Sequence, residues 1–363
     1  MIELDTLLCG CEHPTPASLG EPDVEWVLED GQLLGDRDPV SPSERLAVVD
    51  QLAEFGIETL RLSGTAGIDA DAIDELIGRA AEQDVETTLR LNGERLDRGR
   101  LESLANAGLD RVSVAVKGLS TPRQKHTAAD ATDAALETLR AAEGLDDLAT
   151  ELRFPLQAES VVDMEEVYDL AGLLSADRFR LTHVPDDDLD DERRRRAVRR
   201  LADLTRDAHE RGNHLETVLS GGIDAGYVTE YTRDRLGGEC ATDVRESLRE
   251  RLGTAPSPPV AKVGPAGSVY PGPFWDRYAL GSVRDRPFGA IWTDESNPLL
   301  ERLRHEEAAL PDRCRHCEFG DVCSGGSRGR ALLAHDDPFE PDPVCYVDTE
   351  RAAGGSTAES AAD

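Results

Sequence analysis

The sequence predicts an α/β fold, in which six strand–helix repeats curl into a partial (β/α) barrel and a small, loop-rich domain follows. Three observations carry this expectation. Short β-rich runs alternate with segments of helical apolar spacing, the alternation fades after Leu219, and four of the seven cysteines crowd beyond residue 313.

The strands are read at Ile2 to Leu8, Glu58 to Leu62, Glu86 to Leu91, Arg111 to Val116, Glu151 to Leu156 and Phe179 to Val184. Between them the apolar residues recur near the helical period, as in Ile68, Ala72, Ile73, Leu76, Ile77 and Ala80, or Leu96, Leu101, Leu104 and Ala105. Strand, helix and parallel strand in succession imply right-handed crossovers and a curved parallel sheet, with a doubly wound open sheet as the alternative. Past His214 to Leu219 the pattern weakens, and Ala255-Pro256-Ser257-Pro258-Pro259 reads as a turn or linker. The expected organisation is a barrel over 1–225, a linker region over 226–260, a cysteine-bearing domain over 261–348 and a polar, disordered tail over 349–363.

The formal net charge is -33, from 73 acidic and 40 basic residues, and the only lysines are Lys117, Lys125 and Lys262. Self-repulsion at that charge weakens a compact state in dilute buffer, whereas molar salt shortens screening to roughly 3 Å. A salt-rich cytosol is therefore the expected setting. Such a surface repels phosphate backbones, which speaks against nucleic-acid binding. The run Arg193 to Arg196 follows a string of aspartates and reads as a helix start laced with ion pairs. No stretch approaches 18 consecutive apolar residues and no export signal opens the chain, so neither a membrane nor secretion is expected. In a reducing cytosol, clustered cysteines read as metal ligands before disulfides.

Cys314, Cys317 and Cys323 form C-x2-C-x5-C, and Cys345 follows later. Four thiolates so spaced suit a tetrahedral zinc or a 4Fe-4S cubane equally. Arg313, Arg315, Arg328 and Arg330 outnumber Glu318 and Asp321 here, a basic island that fits either metal. Gly325-Gly326 would let backbone N–H groups approach sulfur closely, or make a plain turn.

Val269-Tyr270-Pro271-Gly272-Pro273-Phe274-Trp275, Leu280 to Arg284, Ile291-Trp292, Leu300 to Arg304 and Arg313 to Ala331 together resemble the SPASM domain. That domain closes many radical S-adenosylmethionine (radical SAM) enzymes, and the likeness is nearest to those of alternative haem synthesis and of quinone-cofactor or peptide maturation. The six repeats resemble the partial barrel that precedes it. The resemblance implies two auxiliary clusters in the family, yet this chain has Ser327 and Gly272 where two ligands of the first cluster belong. The second set, Cys314, Cys317, Cys323 and Cys345, is complete. One auxiliary 4Fe-4S cluster is thus implied, with zinc as runner-up.

The resemblance also implies a C-x3-C-x2-C motif after the first strand, which leaves one iron open to S-adenosylmethionine. Aligned on Cys11, its other positions fall on Leu7 and Pro14, and Cys9 adds only a C-x-C pair. The family's Gly-Gly-Glu motif after strand two falls at Ser63-Gly64-Thr65-Ala66, without its carboxylate. No phosphate loop of the G-x4-G-K type is present. His126, His183, His209 and Cys240 read as structural, and Ser220-Gly221-Gly222-Ile223-Asp224 matches no cofactor fingerprint well. The expected protein is a non-catalytic, pseudo-radical-SAM partner, binding substrate or relaying electrons for an intact radical SAM enzyme that acts on a precursor peptide or a tetrapyrrole. No S-adenosylmethionine is expected to bind. The alternatives are an enzyme using the barrel for non-radical chemistry and a zinc scaffold.

Overall fold

The computed structural model describes residues 1–8, 22–34, 37–119, 126–185, 188–213, 215–252, 260–304 and 310–347. Cys9, Cys11, Pro14, His214, the Ala255 to Pro259 segment and the tail lie outside the described residues.

A single sheet of eleven strands runs in the order β1-β8-β7-β6-β5-β4-β3-β2-β9-β10-β11. The strands are β1 (Ile2–Glu3), β2 (Asp23–Val27), β3 (Thr59–Ser63), β4 (Glu86–Leu91), β5 (Arg111–Ala115), β6 (Ala149–Leu156), β7 (Arg178–His183), β8 (Glu216–Leu219), β9 (Val260–Val263), β10 (Ser268–Tyr270) and β11 (Gly281–Ser282). From β2 to β8 every neighbour pair is parallel, which gives six crossovers. β1 pairs antiparallel with β8, while β9 extends the sheet parallel to β2.

The first expected strand is therefore corrected. Ile2–Glu3 is strand, but Leu4–Leu8 is a helix burying Leu4, Leu7 and Leu8, whose spacing is helical. The first parallel strand is Asp23–Val27, whose alternating apolar residues Val24 and Trp26 are buried. Most of the region expected as a linker is also helical, as Ile223–Leu236 and Gly238–Leu252.

Helices start where a side chain can satisfy the free N–H groups of the first turn. Asp69, Asp97 and Asp190 accept from Asp71, Arg100 and Arg193, and Ser41 forms a capping box with Glu44. The outward faces of the strands pack beneath these helices. Leu152, Phe154 and Leu156 are fully buried, and Phe154 and Tyr168 contact Phe179 at centroid distances of 6.3 and 5.1 Å.

The other face carries charge. Arg90 on β4 reaches Glu25 on β2 at 3.0 Å across the intervening β3, so that face is concave. Glu151 on β6 accepts from Arg180 on β7 at 2.7 Å and from Ser113 on β5 at 2.6 Å, with all three buried. Burial works against the Glu151 carboxylate, but the Arg180 charge and the two donors outweigh it and hold its pKa well below the usual range.

Removing one partner of a buried pair leaves the other uncompensated, so Glu151→Ala lowers the unfolding free energy by about 3–5 kcal/mol. The folded pKa lies below the unfolded one, so the contribution is full above roughly pH 4.3 and is lost as pH falls through the folded value. Urea titrations at constant molar salt between about pH 7 and pH 3 should show wild type losing more stability on acidification than Glu151→Ala. Equal losses contradict the assignment.

Candidate metal centre

Two very short helices and a left-handed turn set the cysteines. Cys314 lies in Asp312–Arg315, Cys317 in the following turn and Cys323 at the end of Gly320–Cys323. Ser324, Gly325 and Gly326 then have φ of 52, 78 and 75°, which reverses the chain. Glycine is needed at 325 and 326 for a second reason. A Cβ at Gly325 would lie 2.0 Å from the Arg328 guanidinium, and one at Gly326 would lie 2.4 Å from the Asp342 carboxylate.

Asp342 organises the return of the chain to Cys345. Buried itself, it accepts from the backbone N–H of Ser327 (2.7 Å) and Val344 (3.1 Å) and from both Nε (3.0 Å) and a terminal nitrogen (2.6 Å) of Arg330. The fork of Arg330 is thereby consumed, and exposed Arg315 pairs with Asp312. Of the basic island, Arg313 and Arg328 remain to act on the thiols.

All four cysteines line one cavity, together with Ile223, Phe319, Val347, Arg313 and Asp342. Burial pushes the Cys314, Cys317 and Cys323 thiols up, and for each the neighbouring Cys345 adds to the rise. Burial disfavours the Arg313 cation too, but the nearby Cys345 and Cys314 outweigh it and raise its pKa. The cavity thus gathers four thiols, and burial makes ionisation of Cys314, Cys317 and Cys323 depend on a nearby cation.

The residues fit an iron–sulfur cluster. Four thiols lining one cavity suit a cubane whose four irons each take one. Arg328 Nε and Ser324 Oγ, both beside this loop, are buried and have no partner among the described residues, as donors awaiting an anionic occupant would be.

Contacts from the barrel side were not legible in the spacing. Arg233 pairs with Glu318 at 2.5 Å, and Arg245 reaches Asp321 at 2.7 Å and the Glu318 carbonyl at 2.5 Å. Gly226 admits Phe319, since a Cβ there would lie 2.9 Å from the ring's own Cβ. Arg194 and Arg195 also depart from the exposed helix start expected of them. Arg194 is buried and meets His183 Nδ1 at 3.2 Å, while Arg195 donates to the Tyr346 carbonyl at 2.7 Å. Arg196 does form the expected ion pair, with Glu192 at 2.7 Å.

The two places where a first auxiliary cluster would need cysteine are filled. Ser327 caps the helix Arg328–His335 by accepting from Arg330 N–H at 3.3 Å. A Cβ on Gly272 would lie 2.9 Å from the Val260 carbonyl oxygen. Next to it Tyr270, Trp275 and Leu332 make a small buried core of their own.

At the other end of the molecule, correcting the first strand moves the loop to be compared with C-x3-C-x2-C. It now follows Val27 and runs to the helix Pro42–Phe55, and it contains no cysteine. No cysteine stands anywhere between Cys11 and Cys240. After β3, Ser63-Gly64-Thr65-Ala66-Gly67 carries no carboxylate of its own, and Gly64 (φ 67°) is pressed against the backbone of Glu29, 2.4 Å from its Cβ position.

Residues 17–171 match the radical SAM superfamily, and residues 260–318 match SPASM, an iron–sulfur cluster-binding domain. The chain is 29% identical over 324 residues to Fe-coproporphyrin III synthase of Methanosarcina barkeri, covering 86% of this chain and 81% of that protein. It is 27% identical over 378 residues to pre-heme d1 synthase of Dinoroseobacter shibae (96% and 92%) and 26% identical over 315 residues to PqqA peptide cyclase of Gluconobacter oxydans (83% and 80%). Among solved structures, Streptococcus suis SuiB bound to S-adenosylmethionine shares the fold, with a TM-score of 0.63 at 16% identity over 90% of this chain and 75% of that one. No helix among the described residues is long and apolar enough to cross a membrane.

Because the place of Gly272 is closed by backbone and by Trp275, a thiol side chain there cannot be accommodated without a shift. Gly272→Cys should lower the melting temperature by several degrees more than Ser327→Cys, which loses only a helix cap. Retained stability in Gly272→Cys contradicts this packing.

Proposed function

From the premise that this chain is a radical SAM protein with a C-terminal SPASM domain, we propose that it binds one 4Fe-4S cluster through Cys314, Cys317, Cys323 and Cys345 and does no radical chemistry itself. One observation carries the proposal. The loop after the first parallel strand has no thiolate to offer, while four cysteines converge on one cavity at the far end of the chain. A radical-generating cubane needs three protein thiolates and one open iron, so that loop has no means of holding it. The missing carboxylate after β3 supports the same reading independently.

When bound, the C-terminal cluster would supply a one-electron carrier site, and its four thiolates leave no iron free for substrate. Arg313 and Arg328 would offset its negative charge, and the ion pairs of Arg233 and Arg245 would hold its loop against the barrel. The barrel then serves as a binding surface, since in α/β barrels ligands sit at the C-terminal ends of the strands. We place the protein as a substrate-binding or electron-relay partner of an intact radical SAM enzyme. The relatives named as coproporphyrin and pre-heme d1 synthases match at higher identity than the PqqA cyclases, which favours a tetrapyrrole over a peptide as that enzyme's substrate. The strong acidity supports a salt-rich setting.

Protein purified anaerobically in molar salt should contain about four irons per chain, as one cubane requires, and show broad thiolate-to-iron absorption. Cys317→Ala should lose it and loosen the C-terminal segment, because metal binding there supplies folding free energy. Stoichiometric zinc without iron removes the electron-relay role. Failure of every intact relative from the same organism to bind the chain at molar salt contradicts the partnership.

A further inference from the structure

The concave face of the sheet reverses the charge of the molecule. In a chain of net charge -33, Arg61, Arg90, Arg153, Arg180 and Lys262 converge there around two carboxylates, the partly buried Glu25 and the buried Glu151. Burial opposes the Glu25 charge, but Arg90, Arg61, Lys262 and Arg153 together outweigh it and lower its pKa.

Most of these cations have carboxylate partners. Arg180 has Glu151, Arg61 has Asp23, Arg90 has Glu25 through one terminal nitrogen, and Lys262 has Asp276 at 2.5 Å. Arg153 is the exception. Its Nε donates to Ser113 Oγ at 2.8 Å and one terminal nitrogen donates to the Leu91 carbonyl and to Asn92 Oδ1, at 3.1 and 3.0 Å. None of these neutral acceptors balances its charge, and no carboxylate among the described residues forms an ion pair with it. A second observation points the same way, for Arg90 Nε is buried without a partner. Burial and the facing Arg90 cation bring the Arg153 pKa down to about 10, which still leaves it charged at neutral pH.

Position completes the case. Leu91 and Asn92 are the last residue of β4 and the one after it, so the Arg153 guanidinium stands at the C-terminal end of the parallel strands, where ligands of such sheets bind. A guanidinium held by neutral acceptors on two nitrogens, beside a second guanidinium with an unused donor, recognises a carboxylate.

We propose that Arg153, assisted by Arg90, is the anchor for a ligand carboxylate at the mouth of the barrel. This deepens, and rests on, the reading of the barrel as a holder for the partner's substrate, and it selects a polycarboxylate over a neutral or cationic ligand. S-adenosylmethionine also carries a carboxylate, so the test must separate the two sources.

Metal-loaded, full-length protein at fixed molar potassium chloride is titrated with coproporphyrin III, a tetracarboxylate, by porphyrin fluorescence, and with S-adenosylmethionine by calorimetry. Wild type, Arg153→Gln and Arg153→Lys are compared, with circular dichroism and iron content as checks of folding. The expected result is coproporphyrin III binding that weakens about tenfold in Arg153→Gln, as loss of one charge-assisted contact implies, and less in Arg153→Lys, with iron unchanged. If only S-adenosylmethionine binds, and does so through Arg153, the anion site stands and the holder reading falls. Equal affinities of wild type and Arg153→Gln, or no binding of either ligand to wild type, overturn the anion site.

Discussion

Asp224 is fully buried, and through it the barrel and the cysteine loop are locked together. One of its carboxylate oxygens accepts from the Tyr346 hydroxyl at 2.5 Å and from His183 Nε2 at 2.7 Å. His183 ends β7, and Tyr346 directly follows Cys345. Because Arg194 donates to His183 Nδ1, the imidazole is fixed as the tautomer that donates from Nε2. Asp224 opens the helix Ile223–Leu236, and the preceding Gly222 packs closely on the cysteine loop, since a Cβ there would lie 3.2 Å from the Cys323 carbonyl oxygen. Two of the four thiols are therefore placed by contacts that begin at the end of the sheet.

The rest of the architecture follows from that lock. The sheet supplies the rigid frame, the helices Ile223–Leu236 and Gly238–Leu252 carry Arg233 and Arg245 to the loop, and Asp342 brings the chain back so that Cys345 meets the other three. The two functional regions differ in electrostatic character. The thiol cavity is walled by apolar side chains together with Arg313 and Asp342, whereas at the mouth of the barrel Arg153 is held by neutral acceptors and forms no ion pair among the described residues. An acidic exterior does not conflict with either, because both regions are turned inward.

Much of this was legible in the sequence. Five of the six expected barrel strands stand within two residues of their expected ends, because alternating β-rich runs flanked by helical periodicity leave little choice. That Cys314, Cys317 and Cys323 line one cavity was legible from spacing, since C-x2-C-x5-C brings them together through short local turns. The first strand was not. Ile2 to Leu8 is apolar enough for either element, and Leu4, Leu7 and Leu8 satisfy the helical period, while Asp23–Val27 hides its alternation among acids. His183 and Asp224 read separately as a packed histidine and part of a Gly-rich turn; their contact spans 41 residues and Tyr346 adds a further 122. Pairings of that range, like Arg90 with Glu25, belong to the curved sheet and leave no local pattern. Correcting the first strand mattered most for function, because it decides which loop should have held three cysteines.

The central claim is that this barrel has kept its fold and lost its radical chemistry, and reductive cleavage of S-adenosylmethionine tests it most directly. Iron-loaded protein reduced with dithionite in molar salt should form no 5′-deoxyadenosine above a control without protein. Formation of 5′-deoxyadenosine in proportion to protein would contradict the account.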